Sequence, residues 1–275
     1  MTHGPYELTA DIEELLRPQA RRAVTDRRGS SVWRVVGADG CHHAVKLGYP
    51  AAPTHLWTAR APAREAHVLG QLGRRGIHWG EWERGTWSVQ PWHEGESLWH
   101  RWAPYRSGRA PADRPIAEAL SCAERLAELH RAGWVHGDVQ PFHFLLGAGD
   151  THLIDLGLAR GGPIPAAYDF AFRGCLVMYE SPEISRSVLA TGRAGPTGAS
   201  DVFGLGASLF ISLTGQRAVD FPADAERAEQ RRVVAAGRHH REVTVPGPLG
   251  KVIAAMLSPE PADRPDIAEV CAALS

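Results

Sequence analysis

The sequence predicts an α+β chain in which a small β-rich lobe precedes a larger helical lobe. Two observations carry that prediction. Up to about residue 92, short apolar runs are separated by turn residues; beyond about residue 98, apolar positions recur at helical spacing. The change falls at 91–97, around His93-Glu94-Gly95, which reads as a hinge between an N-lobe (about 1–92) and a C-lobe (about 98–275) of one domain.

Residues 7–23 show helical apolar spacing that breaks at Pro18. VWRVVGADGCHHAVKLGY reads as two strands joined at Ala38-Asp39-Gly40. A helix is predicted over 53–72, with Pro62 bending it or starting its second part, and a strand pair over 77–92 around Arg84-Gly85. In the C-lobe, 115–134 places Ile116, Leu120, Ala123, Leu126 and Leu129 on one helix face. Two short strands follow at 142–146 and 151–157, turning at Gly147 to Asp150. SDVFGLGASLFISLTG is almost wholly apolar yet short, which predicts a buried helix at 200–215. The segment between Glu183 and Asp201 reads as a mobile loop, and Arg231-Arg232 with His239 to Arg241 as a solvated basic helix face. The tail is two helices around Pro261 to Pro265.

Composition excludes several function classes. The chain has 275 residues, 44% of them hydrophobic, and a formal net charge of -1. That supports a substantial core and argues against a disordered chain or a nucleic-acid binder working through bulk charge. The four cysteines form no CxxC pair, so neither a disulfide framework nor a structural zinc site is expected. The N-terminus lacks a signal-peptide pattern and no apolar run spans a bilayer, which predicts a soluble, cytoplasmic protein with no membrane partner. Lys46 and Lys251 are the only lysines, and no Asn occurs.

The densest polar signal is VHGDVQPFHFLLGAGDTHLIDLG. It sets Asp138 in a tight turn after a helix and Asp155 at the end of an apolar strand, where a carboxylate packs poorly but holds a cation well. Two carboxylates joined across a hairpin suit Mg²⁺ and phosphoryl transfer.

These residues and others in order resemble the eukaryotic-type protein kinase superfamily. His136-Gly137-Asp138 with Pro141 resembles H-R-D-x-x-P, Asp155-Leu156-Gly157 resembles D-F-G, and Ala44-Val45-Lys46 resembles the end of V-A-I-K. Glu65 follows nineteen residues after Lys46 on the predicted helix. Ser181-Pro182-Glu183, Asp201 to Gly206 and Asp263-Arg264-Pro265 resemble A-P-E, D-x-W-x-x-G and D-x-R-P. The resemblance implies a bilobal kinase-like fold that binds ATP with Mg²⁺ or Mn²⁺. It implies that Lys46 holds phosphates and is itself held by Glu65, that Asp138 orients or deprotonates the acceptor, and that Asp155 binds metal. It places Gly29 and Ser30 over the phosphates and Gln90, Trp92 and His93 at the adenine. Glu183 with Arg264, and Asp201, are structural.

The chain departs from the family's pattern at several positions. His143 stands where a metal-binding Asn is expected; it binds metal through nitrogen, hydrogen-bonds Asp138, meets phosphate as a cation, or merely packs. Gln140 replaces a Lys, Gly137 replaces the Arg of H-R-D, and the phosphate loop keeps only Gly29 beside Arg27 and Arg28. Trp92, Trp99 and Trp102 are core or hinge residues, or else line an acceptor surface. The resulting reading is a phosphotransferase acting on a Ser/Thr hydroxyl of a peptide or protein, including a precursor peptide handled with a partner lyase. A pseudokinase binding module and a small-molecule kinase are the alternatives.

Residues 158–180 contain no Ser or Thr, only Tyr168 and Tyr179. Activation by Ser/Thr phosphorylation of this segment is therefore not expected. Intact mass after incubation with ATP, with peptide mapping of 158–180, checks this; stoichiometric activating phosphate there would contradict it.

Overall fold

The structure is a computed structural model that describes residues 7–50, 52, 55–110, 115–238 and 240–275. It divides into two compact units. One comprises the chain up to His93 together with Gly162–Phe170, the other Glu94–Gly161 with Ala171–Ser275.

Unit 1 begins with α1 (Ala10–Leu16), followed by β1 (Ala20–Arg27), β2 (Ser30–Val36), β3 (His42–Gly48), α2 (Trp57–Gln71), β4 (His78–Trp82) and β5 (Gly85–Pro91). The strands form an antiparallel sheet in the order β1-β2-β3-β5-β4. Alternation sorts β3: Val45 and Leu47 point to one face and Lys46 to the other. On the first face Val35, Val45, Leu47, Trp87 and Val89 pack against Leu8, Ile12 and Leu16, so α1 roofs the sheet.

Across the sheet α2 is fitted closely. Pro62 lies inside the helix and removes one ladder donor. Beside it the Thr86 hydroxyl bridges the ladder, donating to the Ala59 carbonyl at 2.7 Å and accepting from the Ala63 N–H at 3.2 Å. Gly48 meets the same turn, where a Cβ would lie 2.5 Å from the Thr58 carbonyl and 2.6 Å from Pro62 Cδ. Helix and sheet are therefore locked in register next to Glu65.

Unit 2 contains β6 (Glu96–Ser97), α3 (Leu98–Arg101), α4 (Ala103–Arg106), α5 (Ile116–Arg131), β7 (Phe144–Leu146) and β8 (Thr151–Leu153). The three strands form a small antiparallel sheet, β6-β7-β8. Then come α6 (Pro182–Thr191), α7 (Gly198–Thr214), α8 (Arg227–Ala236), α9 (Gly247–Met256) and α10 (Ile267–Leu274). Helix α7 is buried from Ser200 through Leu213 and starts in a capping box between Thr197 and Ser200. Among the described residues no helix is long and apolar enough to cross a membrane.

Four expectations are corrected. Residues 20–27 form an edge strand rather than the end of a helix and a turn; nearly every side chain of β1 is exposed, so its sequence shows no apolar alternation. The first part of the segment after Glu183 is not a loop, because α6 runs to Thr191 and stops at Gly192 in the left-handed region (φ 73°), and only the stretch from Gly192 to Thr197 before α7 is irregular. Trp102 is fully buried and donates to Glu118 Oε2 at 2.6 Å, so it lines no surface. Arg231 is not solvated: its guanidinium grips the buried Glu180 at 2.7 and 2.9 Å. Of the basic stretch after it, His239 lies outside the described residues, as do Pro53 and Thr54 at the expected start of α2.

Arg231 and Arg232 make a controlled comparison. Arg231→Ala strands the Glu180 carboxylate in the interior and is expected to cost about 3 kcal/mol, as for other broken buried pairs. Arg232→Ala loses an exposed pair with Glu229 and is expected to cost about 0.5 kcal/mol or less. Urea denaturation of the two variants measures both.

Candidate active site

In unit 2 the site is built on the turn after α5. Asp201, at the start of α7, is buried and spends its carboxylate on that turn. Oδ2 accepts from the His136 N–H at 2.6 Å and Oδ1 from the Gly137 N–H at 2.8 Å, while His130 Nε2 lies 3.0 Å from Oδ2. Gly137 has φ 77°, the left-handed region that a side chain disfavours, and a Cβ there would press on the Leu158 carbonyl at 3.1 Å. The backbone thus gives a local reason for Gly in place of Arg.

His136 is a strut. Its Nδ1 accepts from the Asp138 N–H at 3.1 Å, which leaves Nε2–H to donate to the Ile154 carbonyl at 3.0 Å. Burial lowers its pKa to about 4, so the ring is neutral and its tautomer is set by its partners. The Ile154 N–H in turn donates to the His143 carbonyl at 2.9 Å. The turn that carries Asp138 and the strand end that carries Asp155 are pinned together through these bonds.

His143 completes the cluster. Its Nδ1 lies 2.8 Å from the Asp138 carbonyl, to which it donates, and its Nε2 lies 3.2 Å from Asp155 Oδ2. Burial opposes charge on this ring, but the Asp155 and Asp138 carboxylates outweigh it and raise its pKa. Of the roles open from sequence, the geometry shows hydrogen bonding, made to the backbone of Asp138 rather than to its carboxylate. Gln140 donates to Asp138 Oδ2 at 3.1 Å. The other oxygen, Asp138 Oδ1, is buried with no hydrogen-bond partner. Burial pushes the Asp138 carboxyl up to about 6; His143 pulls against that and Asp155 adds to it. Asp155 adopts φ 67°, rare for a non-glycine residue, and its side chain is about half exposed.

Among the described residues no three His, Cys, Asp or Glu side chains form a metal-holding group. With Nδ1 donating to the Asp138 carbonyl, Nε2 is the His143 nitrogen that faces the Asp155 carboxylate. The half-exposed Asp155 carboxylate does fit Mg²⁺ or Mn²⁺ arriving with a nucleotide, since such ions take one or two protein carboxylates plus phosphate oxygens.

Unit 1 holds the other expected residues. Lys46 Nζ lies 2.7 and 2.9 Å from the two oxygens of the buried Glu65. The β1–β2 turn is a two-residue hairpin with Arg28 at φ 53° and Gly29 at φ 84°, the signature of a type I′ turn. Gly29 is buried where a Cβ would collide with Thr58 Oγ1 and the Tyr49 carbonyl, so packing accounts for the glycine. Ser30 opens β2 opposite Arg27. Gln90 is buried in β5. Trp92 donates its backbone N–H to the His42 carbonyl, and its ring lies beneath the Arg34 guanidinium, with His93 at the unit's end.

No family model matches the chain. PknK, a serine/threonine-protein kinase of Mycobacterium tuberculosis, is 32% identical over 186 residues, or 64% of this chain and 15% of its own length. PkaA of Streptomyces coelicolor, also a serine/threonine-protein kinase, is 34% identical over 161 residues, 55% of this chain and 27% of its own. The chain therefore spans only a minor part of either relative. A solved kinase, PK-1 of the Cydia pomonella granulovirus, superposes with a TM-score of 0.68 over 94% of both chains at 16% identity. The chain has a protein kinase-like fold.

In this kinase-like chain the remaining structural pair is close-fitting. Arg264 meets both oxygens of Glu183 at 2.8 Å and also donates to the carbonyls of Ser258, Ala199 and Pro259. Sequence reasoning missed Arg231, Glu180 and His130, whose partners are between 51 and 71 residues away and leave no local pattern.

The buried Asp138 carboxylate, with one oxygen unpartnered, sets the sign of a stability change. A carboxyl whose pKa rises on folding costs stability above that pKa and nothing below its ordinary value. Asp138→Asn removes the charge at constant shape, so at pH 7 it is expected to stabilise the fold by on the order of 1–2 kcal/mol. The gain disappears below about pH 4. Thermal melts of both proteins across pH 4–8 measure it.

Proposed function

We propose that this chain is an ATP-dependent phosphotransferase that moves the γ-phosphoryl group to a Ser or Thr hydroxyl of a peptide or protein. The observation that carries the reading is Asp138 Oδ1, a buried carboxylate oxygen with no partner, next to an oxygen already occupied by Gln140. Such an atom is ready to accept a hydroxyl proton. As the proton moves to Asp138, the acceptor oxygen bonds to the γ-phosphorus, the bond from that phosphorus to the bridging oxygen breaks, and ADP leaves. A pKa near 6 keeps Asp138 ionised at neutral pH yet basic enough to take the proton.

On unit 1, Lys46 supplies a compact cation for the nucleotide's phosphates, and Glu65 fixes its position. A divalent cation bound with ATP would neutralise charge on the transferring group, with Asp155 as its protein ligand. The proposed setting is cytoplasmic. The narrower version has a precursor peptide as acceptor and a partner lyase that eliminates the phosphate; its support is the chain's lack of loop hydroxyls and its altered Gln140 and His143.

The pseudokinase reading is favoured by one observation, the buried Gly29 in a hairpin whose other tip residue is Arg28. Transfer of radiolabelled phosphate to a Ser/Thr peptide library, with Mg²⁺ and with Mn²⁺, separates the two. Asp138→Ala is expected to lower turnover about 100-fold or more, and Lys46→Arg at least about tenfold. ATP binding by the wild type without turnover would overturn the proposal.

A further inference from the structure

Within unit 2, one side of the turn that carries Asp138 is walled by residues distant in sequence. A Cβ on Gly137 would lie 3.3 Å from the Phe172 ring and 3.4 Å from Pro196, so both pack directly on the turn. A narrow void between them is lined by Gly137, Phe172, Cys175, Tyr179 and Asp201. Burial raises the pKa of the Cys175 thiol, and the charges of Glu180 and Asp138 raise it further. The strip 172–175 therefore lies within the field of Asp138.

Helix α8 holds that strip by its backbone. Arg227 and Arg231 are four residues apart and share a helix face. Arg231 Nη2 donates to the Arg173 carbonyl at 3.1 Å, and its partner Glu180 accepts the Cys175 N–H at 3.0 Å. Arg227 Nη2 donates to the Cys175 carbonyl at 2.6 Å. The side chains of Arg173 and Arg227 are left exposed.

Their charges have no structural explanation of the kind seen elsewhere in the unit. Arg101, Arg186 and Arg232 each pair with a carboxylate, Glu118, Glu260 and Glu229. Arg173 has no such pair among the described residues. Arg227 opens α8, where the helix dipole disfavours a cation, and the carbonyl it holds accepts a hydrogen bond without neutralising charge. Burial raises the Asp138 carboxyl, and Arg227 is one of the groups that pull it back down, so its charge reaches the site. The exposed carboxylates on the approach to α8 are Asp224 and Glu226, which weaken this positive field without cancelling it.

We propose that Arg173 and Arg227 form an anion subsite beside Asp138 that selects acceptor peptides in which Asp or Glu flanks the Ser or Thr. The carboxylate of Asp138 repels an acidic side chain at the acceptor position itself, so the acidic residues lie to either side of the hydroxyl. The Glu180–Arg231 pair fixes the backbone from which Arg173 projects, and α8 fixes Arg227. The subsite deepens the phosphotransferase reading and rests on it for transfer at Asp138; the preference for acidic peptides does not.

Fluorescence polarisation of labelled peptides on the full chain tests the subsite without requiring turnover. The peptides share one sequence, with the residues flanking a central Ser set to Glu, Gln or Lys. The Glu peptide is expected to bind about tenfold more tightly than the Gln peptide at low salt, and the Lys peptide most weakly. The Glu-over-Gln preference is expected to shrink to about threefold or less at about 0.5 M salt. Arg227→Gln is expected to cut the preference about fivefold, while Arg227→Lys keeps the charge and holds it within about twofold of wild type. Arg173→Gln, whose backbone anchor is untouched, is expected to cut it about threefold. Equal binding of the Glu and Gln peptides by the wild type overturns the subsite. So does a preference that is unchanged in both Gln variants, including the case in which Arg227→Gln weakens all three peptides alike, as a mere clamp on the Cys175 carbonyl would. Phosphate transfer to the same peptides separates the two readings. Transfer with no acidic preference would refute the subsite and keep the phosphotransferase. Arg227-dependent binding of the Glu peptide with no transfer to any peptide would keep the subsite and refute the phosphotransferase.

Discussion

Asp201 is the interaction on which the rest of unit 2's chemistry depends. Its two carboxylate oxygens take the N–H groups of His136 and Gly137, so a buried helix start dictates the path of an irregular turn. Without that acceptor, two buried amides would be unpaired, a cost comparable to that of the hydrogen bonds themselves. Once the turn is fixed, His136 reaches Ile154, His143 reaches Asp155, and Asp138 presents one satisfied and one unsatisfied oxygen. The positions of both candidate carboxylates thus trace back to a buried residue at the start of α7.

Unit 1 solves a similar problem with packing. Lys46 points away from the roofed face of its sheet only because Val45 and Leu47 are claimed by α1, and period-two alternation leaves it no other direction. Glu65 is carried on a helix whose ladder is opened at Pro62 and closed again by the Thr86 hydroxyl. Both members of the ion pair are placed by neighbours whose own requirements are purely structural.

Much of this was legible in the sequence because it is written locally. The type of α7, the hairpin from β7 to β8 and the pairing of Lys46 with Glu65 follow from apolar spacing, turn residues and ordered motifs. What was hidden lacks local pattern for physical reasons. β1 is an edge strand whose side chains are mostly in water, so neither face selects apolar residues. Arg231 looks like a surface arginine until Glu180 is placed opposite it from 51 residues away. His143 stands out in the sequence as a departure from a motif, but its hydrogen bond is to the Asp138 carbonyl, a backbone atom that no motif names.

The strut at His136 has a consequence for how this protein reads acidity. A histidine is ordinarily the first suspect when a proton-linked inflection appears near neutrality. Here both ring nitrogens are committed, one as acceptor and one as donor, and burial holds the pKa near 4. To take up a second proton the ring would have to give up its bond to the Asp138 amide and loosen the turn. Within the range where living cells operate, this imidazole is electrically silent, and any titration seen there reports on its neighbours.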